Sequence, residues 1–378
     1  MEFARKFMSG GHEAQEQKLS AFMLSQMFIQ IVNLGQLLRA IGDFVGAGKL
    51  MKSEVILDVL KLCVESMVKQ MTHERMDFDA GEKRLREHLS RLGVSVDEVR
   101  VKSLYPRLVK LQLTLTGVNS DLMSGKLGML FENILGEPVR ISVRKVSGKR
   151  VKMDVVSSRE FKLSHSVAYV GKGGSDISGD SYFYESFPDG RAMLAISDGM
   201  GNGEVAKKES SEALKIVKCL IGFGIAVDKA IQVVWDLKQN SNVEERFFTL
   251  DLCLVDKEKQ KAIFFKQGAT TSFIVRDEKV IRVNLSGLPI GVARDEFQID
   301  QVTVPLEEGD FIVMTSDGIS DEFANIQNLE AYLVRESSES PKKKAHNILD
   351  YTISRSRGRI NDDMMALVAK YGRVDSLR

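Results

Sequence analysis

The chain has 378 residues, of which 43% are hydrophobic and 28% charged, and a formal net charge of +1. That length suits two or three domains with separate cores, and the near-zero charge removes any global case for nucleic-acid or acidic-lipid binding. Cys63, Cys219 and Cys253 lie far apart in apolar surroundings, so they read as reduced core thiols, not as a disulfide framework or a zinc site.

Reduced thiols fit a cytosolic compartment. The N-terminus has no apolar stretch followed by a small-residue cleavage site, so no secretory signal is expected. Leu19 to Leu38 carries no acidic or basic residue before its end, but Ser20, Ser25, Gln26, Gln30, Asn33 and Gln36 interrupt it, which argues against a membrane span.

Leu24, Met27, Ile31, Leu34, Leu38, Ile41 and Val45 recur at alternating steps of three and four. This heptad spacing predicts a helix with one narrow apolar stripe, serving either as a dimerising linker or as an amphipathic helix laid on its own domain. Gly46 and Gly48 end it, and Val55, Ile56, Val59, Leu60, Cys63, Val64 and Met67 mark a second helix. The polar stretch from Thr72 to Gly81 reads as a connector before a short helix that Gly93 stops. Val109, Leu111, Leu113 and Leu115 alternate with polar residues as a half-buried strand does. A helix over Asp121 to Leu135 is closed by Gly136, and two strands meet at Ser147-Gly148. Together these make a small α+β module with no catalytic pattern. Val139 to Lys162 carries eight Lys/Arg against two Asp/Glu, read as solvent-facing strand residues.

The second half begins with a strand near Phe161 to Val170, then a glycine-rich turn and Ser178-Gly179-Asp180-Ser181. The next strand ends in Ala195-Ile196-Ser197-Asp198-Gly199-Met200-Gly201-Asn202-Gly203, and two helices follow. Strands over Thr249 to Val255, Lys261 to Lys266, Thr271 to Val275 and Lys279 to Val283 read as one antiparallel meander. After Leu288-Pro289-Ile290-Gly291 come a strand ending in Ser316-Asp317-Gly318, two more helices, and Asp362-Asp363 before a last strand. Many strands with paired helices suit a β-sandwich flanked by helices.

Asp180, Asp198, Asp317 and Asp362 share one setting, a turn beside an apolar strand. A single Asp-Gly is a common turn. Four in this context predict carboxylates that converge at one sheet end, where only a cation relieves their repulsion. Oxygen ligands of this kind suit Mg²⁺ or Mn²⁺. The five histidines lie outside these motifs, and neither a Ser-His-Asp arrangement nor HExxH occurs.

The ordered set SGDS, SDGMGNG, LPIG, SDG and DDM resembles the metal-dependent PPM-type (type 2C) serine/threonine phosphatases, and more closely their stage II sporulation protein E branch. The resemblance implies an α+β chain whose C-terminal αββα sandwich of PPM phosphatase type follows an N-terminal helical linker and a small α+β regulatory domain. The expected divisions are a linker or dimerisation helix over 1–50, the regulatory domain over 51–160 and the phosphatase domain over 161–373. It further implies two Mn²⁺ or Mg²⁺ ions. Asp198 would bridge them, the Gly199 carbonyl would help hold one, Asp317 and Asp362 would hold the other, and Asp180 would act through metal-bound water. A hydroxide bridging the ions would attack a phosphoserine, with Asp180 and Asp198 the catalytic acids.

The implied substrate is a phosphorylated anti-anti-sigma factor in sporulation signalling, while the heptad seam offers a second copy bound through the N-terminal helix as partner. The alternative is a catalytically silent phosphatase fold serving as scaffold or dimeric signalling module. The resemblance also makes the two helices after Gly203 switch helices, with glycines 199, 201 and 203 letting the loop move. Members of the branch are often membrane-anchored through a region not seen here, and a cytoplasmic location is expected.

Overall fold

The computed structural model describes residues 27–28, 30–45, 53–103, 109–119, 126–158, 161–187, 190–199, 204–239, 247–257, 259–292 and 297–373. Most of the segment before residue 50, and Met200 to Gly203 of the glycine-rich loop, lie outside them. Contacts divide the chain into two units, one built around Val64–Arg159 and the other around Gly35–Cys63, Glu160–Phe187 and Arg191–Arg378.

In the first unit, strands β1 (Ser95–Ser103), β2 (Lys110–Thr116), β3 (Val139–Ser147) and β4 (Arg150–Ser157) form an antiparallel sheet of order β1-β2-β4-β3. Leu111, Leu113, Leu115, Val151, Met153 and Val155 point to one face. There they bury against Phe131 of helix α3 (Leu127–Leu135) and against Leu85 and Leu89 of helix α2 (Ser53–Arg91). Gly136 ends α3 at φ 68°, a left-handed conformation that glycine adopts without a side-chain clash.

Two sequence expectations change here. Thr72 to Gly81 is no connector, because α2 runs unbroken from Ser53 to Arg91. Glu74, Arg75 and Met76 favour helix and the stretch has no proline, so its polarity alone does not end the helix. Strand β1 was not expected. Register shifts between Val96 and Glu98 and between Val101 and Ser103 break the alternation by which a strand is recognised.

Helix α1 (30–45) also reads differently from its heptad seam. Leu37, Ala40, Ile41 and Val45 are buried, while Met27, Ile31 and Leu38 are exposed. The second half of α1 therefore packs within the second unit, where Phe44 meets the edge of Phe248 at 6.0 Å between ring centres.

The second unit is a sandwich of two five-stranded antiparallel sheets. One has the order β12-β9-β8-β7-β6, from β6 (Ser181–Ser186), β7 (Arg191–Ser197), β8 (Leu250–Asp256), β9 (Lys261–Gln267) and β12 (Asp300–Pro305). The other has the order β11-β10-β13-β14-β5, from β5 (Phe161–Val170), β10 (Ser272–Arg276), β11 (Lys279–Val283), β13 (Phe311–Thr315) and β14 (Met364–Arg373). The expected single meander therefore divides: after β9 the chain turns at Gly268 and leaves for the other sheet.

Strand β14 shows why its sequence is a continuous apolar run and not an alternating one. Met365, Leu367, Ala369 and Tyr371 face the core between the sheets. Met364, Ala366 and Val368 face the outer core beneath helices α7 (Ile326–Arg335) and α8 (Pro341–Arg355). A strand covered on both faces needs apolar residues at every position. On the opposite side, α4 (Glu204–Gly222) packs on β6 and β7, and α5 (Val227–Gln239) packs on α4. The layers are α, β, β, α. Among the described residues no helix is long and apolar enough to cross a membrane.

Candidate metal centre

The sandwich brings four strand ends together. Asp180 immediately precedes β6 and Asp198 immediately follows β7, and these strands pair through Ser181 and Ser197. On the other sheet, Asp317 opens the one-turn helix α6 (Asp317–Ser320) just after β13, and Asp362 and Asp363 immediately precede β14. Strands β13 and β14 pair through Thr315 and Ala366. Each sheet thus contributes two neighbouring strand ends to one end of the sandwich.

Local contacts set these ends. The Thr249 hydroxyl accepts the Asp198 N–H at 3.1 Å, and the Asp198 carbonyl accepts the Thr249 N–H at 2.9 Å. Gly199 forms a backbone bridge with Phe248, which bridges in turn to Ile290. Ser316 bonds both ways to the last strand, its N–H to the Met365 carbonyl at 3.0 Å and its hydroxyl from the Met365 N–H at 3.0 Å. Gly318 permits this approach, since a Cβ there would stand 2.1 Å from the Asp363 carbonyl oxygen. A side chain at 318 would separate Asp317 from the Asp362-Asp363 turn.

The acids act on one another. Burial pushes the Asp180 carboxyl up, and the charge of Asp198 adds to this, with smaller effects from Asp363 and Asp317. Asp198 is raised by burial and by Asp317, Asp362 and Asp363. Asp317, although open to solvent on one side, is raised by the atoms packed round it and then by Asp362 and Asp321. Every charged group that shifts these three is itself an acid.

Asp180 is 3% exposed, and neither of its carboxylate oxygens has a hydrogen-bond partner. Ser316 and Asp198 lie near it without hydrogen-bond geometry. Among the described residues no three His, Cys, Asp or Glu side chains close on a single point as a ligand set. A buried, unpartnered carboxylate among like charges fits a site completed by a divalent cation.

The structure thus brings together all four expected aspartates, with Gly199 beside Asp198. It adds Asp363, which the sequence reading passed over. The Asp363 carboxylate accepts the N–H of Lys172 at 2.8 Å and of Gly179 at 2.7 Å, tying the 171–180 loop, and with it Asp180, to the start of β14. The acidic doublet was the available signal. Ser210 of α4 was also missed. Its hydroxyl lies 3.1 Å from the Gly179 carbonyl and 2.7 Å from the Ser181 hydroxyl.

Residues 188–372 match the family model described as stage II sporulation protein E. The chain is 31% identical over 313 residues to stage II sporulation protein E of Priestia megaterium, covering 81% of this chain and 53% of that protein. Against the Bacillus subtilis (strain 168) protein it is 28% identical over 309 residues, covering 80% and 37%. It therefore spans about half or less of the length of these relatives. A solved structure of the PP2C phosphatase domain and a fragment of the regulatory domain of the cell fate determinant SpoIIE from Bacillus subtilis superimposes with a TM-score of 0.72 at 27% identity. The match covers 85% of this chain and 94% of that one. Residues 188–372 belong to the stage II sporulation protein E family, and the fold that carries them is that of its PP2C phosphatase domain.

Proposed function

We propose that this chain is a metal-dependent protein serine phosphatase that hydrolyses a phosphoserine. The observation that carries the reading is the buried, unpartnered Asp180 among four further aspartates drawn from two sheets. Asp198 would be shared between two divalent cations, Mn²⁺ or Mg²⁺, with the Gly199 carbonyl on one, Asp317 and Asp362 on the other, and Asp180 reaching them through water. Such a pair of ions, when bound, supplies Lewis-acid stabilisation of charge at phosphorus and a water acidic enough to attack there at neutral pH.

The chain's own part is positional. Thr249 holds the backbone of Asp198, Ser316 holds the turn of Asp317 against β14, and Asp363 anchors the loop that ends in Asp180. Asp180 and Asp198 are the two acids nearest the reacting groups in this reading. Ser210 gives α4 a direct bond to that loop, which supports its role as a switch helix.

The proposed substrate is a phosphorylated anti-anti-sigma protein, on the strength of the family likeness. A second copy is the proposed partner, because α1 leaves Ile31, Val32 and Leu38 exposed after Met27 and Phe28. The chemistry is tested by Mn²⁺-dependent phosphate release from p-nitrophenyl phosphate and from such a phosphoprotein. Asp198→Asn should lower the rate at least about a hundredfold. A wild-type chain with no activity, or an Asp198→Asn chain as active as wild type, would sink the enzyme reading and leave the silent scaffold.

A further inference from the structure

Two tyrosines at the rim of the acidic cluster are placed unlike the others near them. Tyr371 is buried and its hydroxyl donates to the Lys257 carbonyl at 2.8 Å, and the Tyr184 hydroxyl donates to the Leu163 carbonyl at 3.4 Å. Both serve the interior. Tyr169 and Tyr182, by contrast, are 44% and 41% exposed, with Ile177 between them in sequence at 41%.

Their position follows from topology. Strand β5 is the edge of one sheet and β6 the edge of the other. The rings of these two strands meet across the gap between the sheets, His165 on Tyr184 at 3.6 Å and Tyr169 near Tyr182 at 6.5 Å between centres. The His165–Tyr184 stack closes this side of the sandwich farther from the acids. The Tyr169–Tyr182 pair lies at the end nearer to them.

Tyr182 is two residues beyond Asp180, and Tyr169 pairs across from Met365, three residues beyond Asp362. At a strand rise of about 3.3 Å per residue the backbone of Tyr182 lies about 7 Å along its strand from Asp180, and Met365, which Tyr169 faces across the sheet, lies about 10 Å from Asp362. The connecting loop is fixed at several points. Asp363 holds Lys172 and Gly179, and the Gly173 N–H donates to the Ile360 carbonyl at 2.9 Å. The rings therefore sit on backbone held by the same groups that hold the site.

A phosphoserine in a protein arrives with its neighbours attached. A residue two or three positions away in an extended segment reaches about 7–10 Å, a span like the backbone spacing that separates the acids from the strand positions of the two tyrosines. Paired, partly exposed aromatic rings offer an apolar surface of low conformational entropy. We propose that Tyr169 and Tyr182 form a docking platform for an apolar side chain two or three residues from the phosphoserine of a protein substrate. This rests on the phosphatase reading above and adds to it a preference for apolar flanking residues.

The test uses the full chain with Mn²⁺ and two phosphoserine peptides, identical except for leucine or glycine at the second and third positions on each side. The wild type should favour the leucine peptide in kcat/KM by about tenfold. The double variant Tyr169→Ala, Tyr182→Ala should bring that ratio near one, and the double Phe variant should restore it, since the ring and not the hydroxyl makes the contact. A general loss of structure lowers both peptides together and leaves the ratio where it was. A ratio unchanged in a double Ala variant that melts at the wild-type temperature would overturn the platform, and where the double variant melts lower the same reading is taken from Tyr182→Ala alone. If the wild type releases no phosphate even from p-nitrophenyl phosphate, the phosphatase reading falls by itself. The platform is then judged by fluorescence anisotropy of the two labelled peptides, with the same binding ratio expected and its persistence in the double Ala variant again overturning the platform.

Discussion

The two units are built from the same material, antiparallel sheets with helices against them, yet they treat acidic residues in opposite ways. In the small α+β unit the acids on the sheet and its helix meet arginines: Asp97 with Arg150, Asp154 with Arg144, Glu98 with Arg100 and Glu82 with Arg86. At the end of the sandwich five aspartates gather, and the charges that act on Asp180, Asp198 and Asp317 are all acidic. A fold that can pair its acids in one place and leaves them unpaired in another marks the second place as the working one. Deeper in the sandwich Asp251 shows that burial alone does not force this. It is 1% exposed, but Lys266 and Ser272 both bond to its carboxylate.

That contrast sets the largest expected effect. Lys266 is fully buried, and its ammonium bonds Asp251, the Thr270 carbonyl at 2.6 Å and the Ser272 hydroxyl at 2.8 Å. Lys266→Met leaves Asp251 charged and without its counter-ion in the core, which should cost about 3–5 kcal/mol. Trp235, the single tryptophan of the chain, lies in the same unit, so its fluorescence during urea unfolding reads the change. A loss below about 1 kcal/mol would mean that buried acids here do not need their partners, and the contrast between Asp251 and Asp180 would lose its meaning.

Asp180→Asn should act in the opposite direction. Burial and the neighbouring acids push the Asp180 carboxyl up to about 9, so the metal-free fold must keep it protonated at neutral pH; asparagine lifts that cost, and the metal-free protein should gain about 1–2 kcal/mol. The same change should reduce the rise in melting temperature that Mn²⁺ gives the wild type. A variant that melts lower than the wild type without metal would show that Asp180 is held by favourable contacts after all. Stabilisation on removing a residue proposed for function is the signature that separates the sandwich end from the paired acids elsewhere.

How much of this was legible in the sequence depended on range. The four aspartates were visible because each sits in the same short strand-end setting, and a helix-flanked sandwich because many strands alternate with paired helices, while the αββα layering itself came from the family resemblance. Asp363 was passed over because the doublet with Asp362 marks its acidity but not its bonds to Lys172 and Gly179, about 190 residues away in the chain. The split of β8–β9 from β10–β11 was hidden for a related reason, since short turns join strands of one sheet and strands of two sheets alike. The heptad seam of α1 misjudged its second half because periodicity gives the width of an apolar stripe but not what covers it. Ile41 and Val45 of the seam do bury, but so do Leu37 and Ala40 off it, while Leu38 of the seam is exposed.

The smallest expected effect tests the other side of the comparison. Burial works to raise Asp97, but hydrogen bonds from Thr116, Arg150 and Ser95 and the charge of Arg150 hold it below the ordinary aspartate range. A depressed carboxyl contributes stability above its unfolded value, and that stability is lost as pH falls through the folded one. The Arg150 side chain is 67% exposed, so water screens the pair, and Thr116 still bonds Asp97 at 2.7 Å when the arginine is gone. Arg150→Ala should therefore cost only about 0.2–1 kcal/mol at neutral pH. The difference from the wild type should begin to shrink below about pH 4, where Asp97 of the unfolded chain takes up a proton, and in high salt, where the pair is screened. Urea unfolding followed by far-UV circular dichroism at pH 7 and pH 3 measures both. A loss above about 2 kcal/mol, or one that persists at pH 3, would place Asp97 with Asp251 as an acid that cannot do without its partner. The division would then lie between acids that have a counter-charge and those that have none, whatever their depth, and the sandwich end would still stand alone on the second side of it.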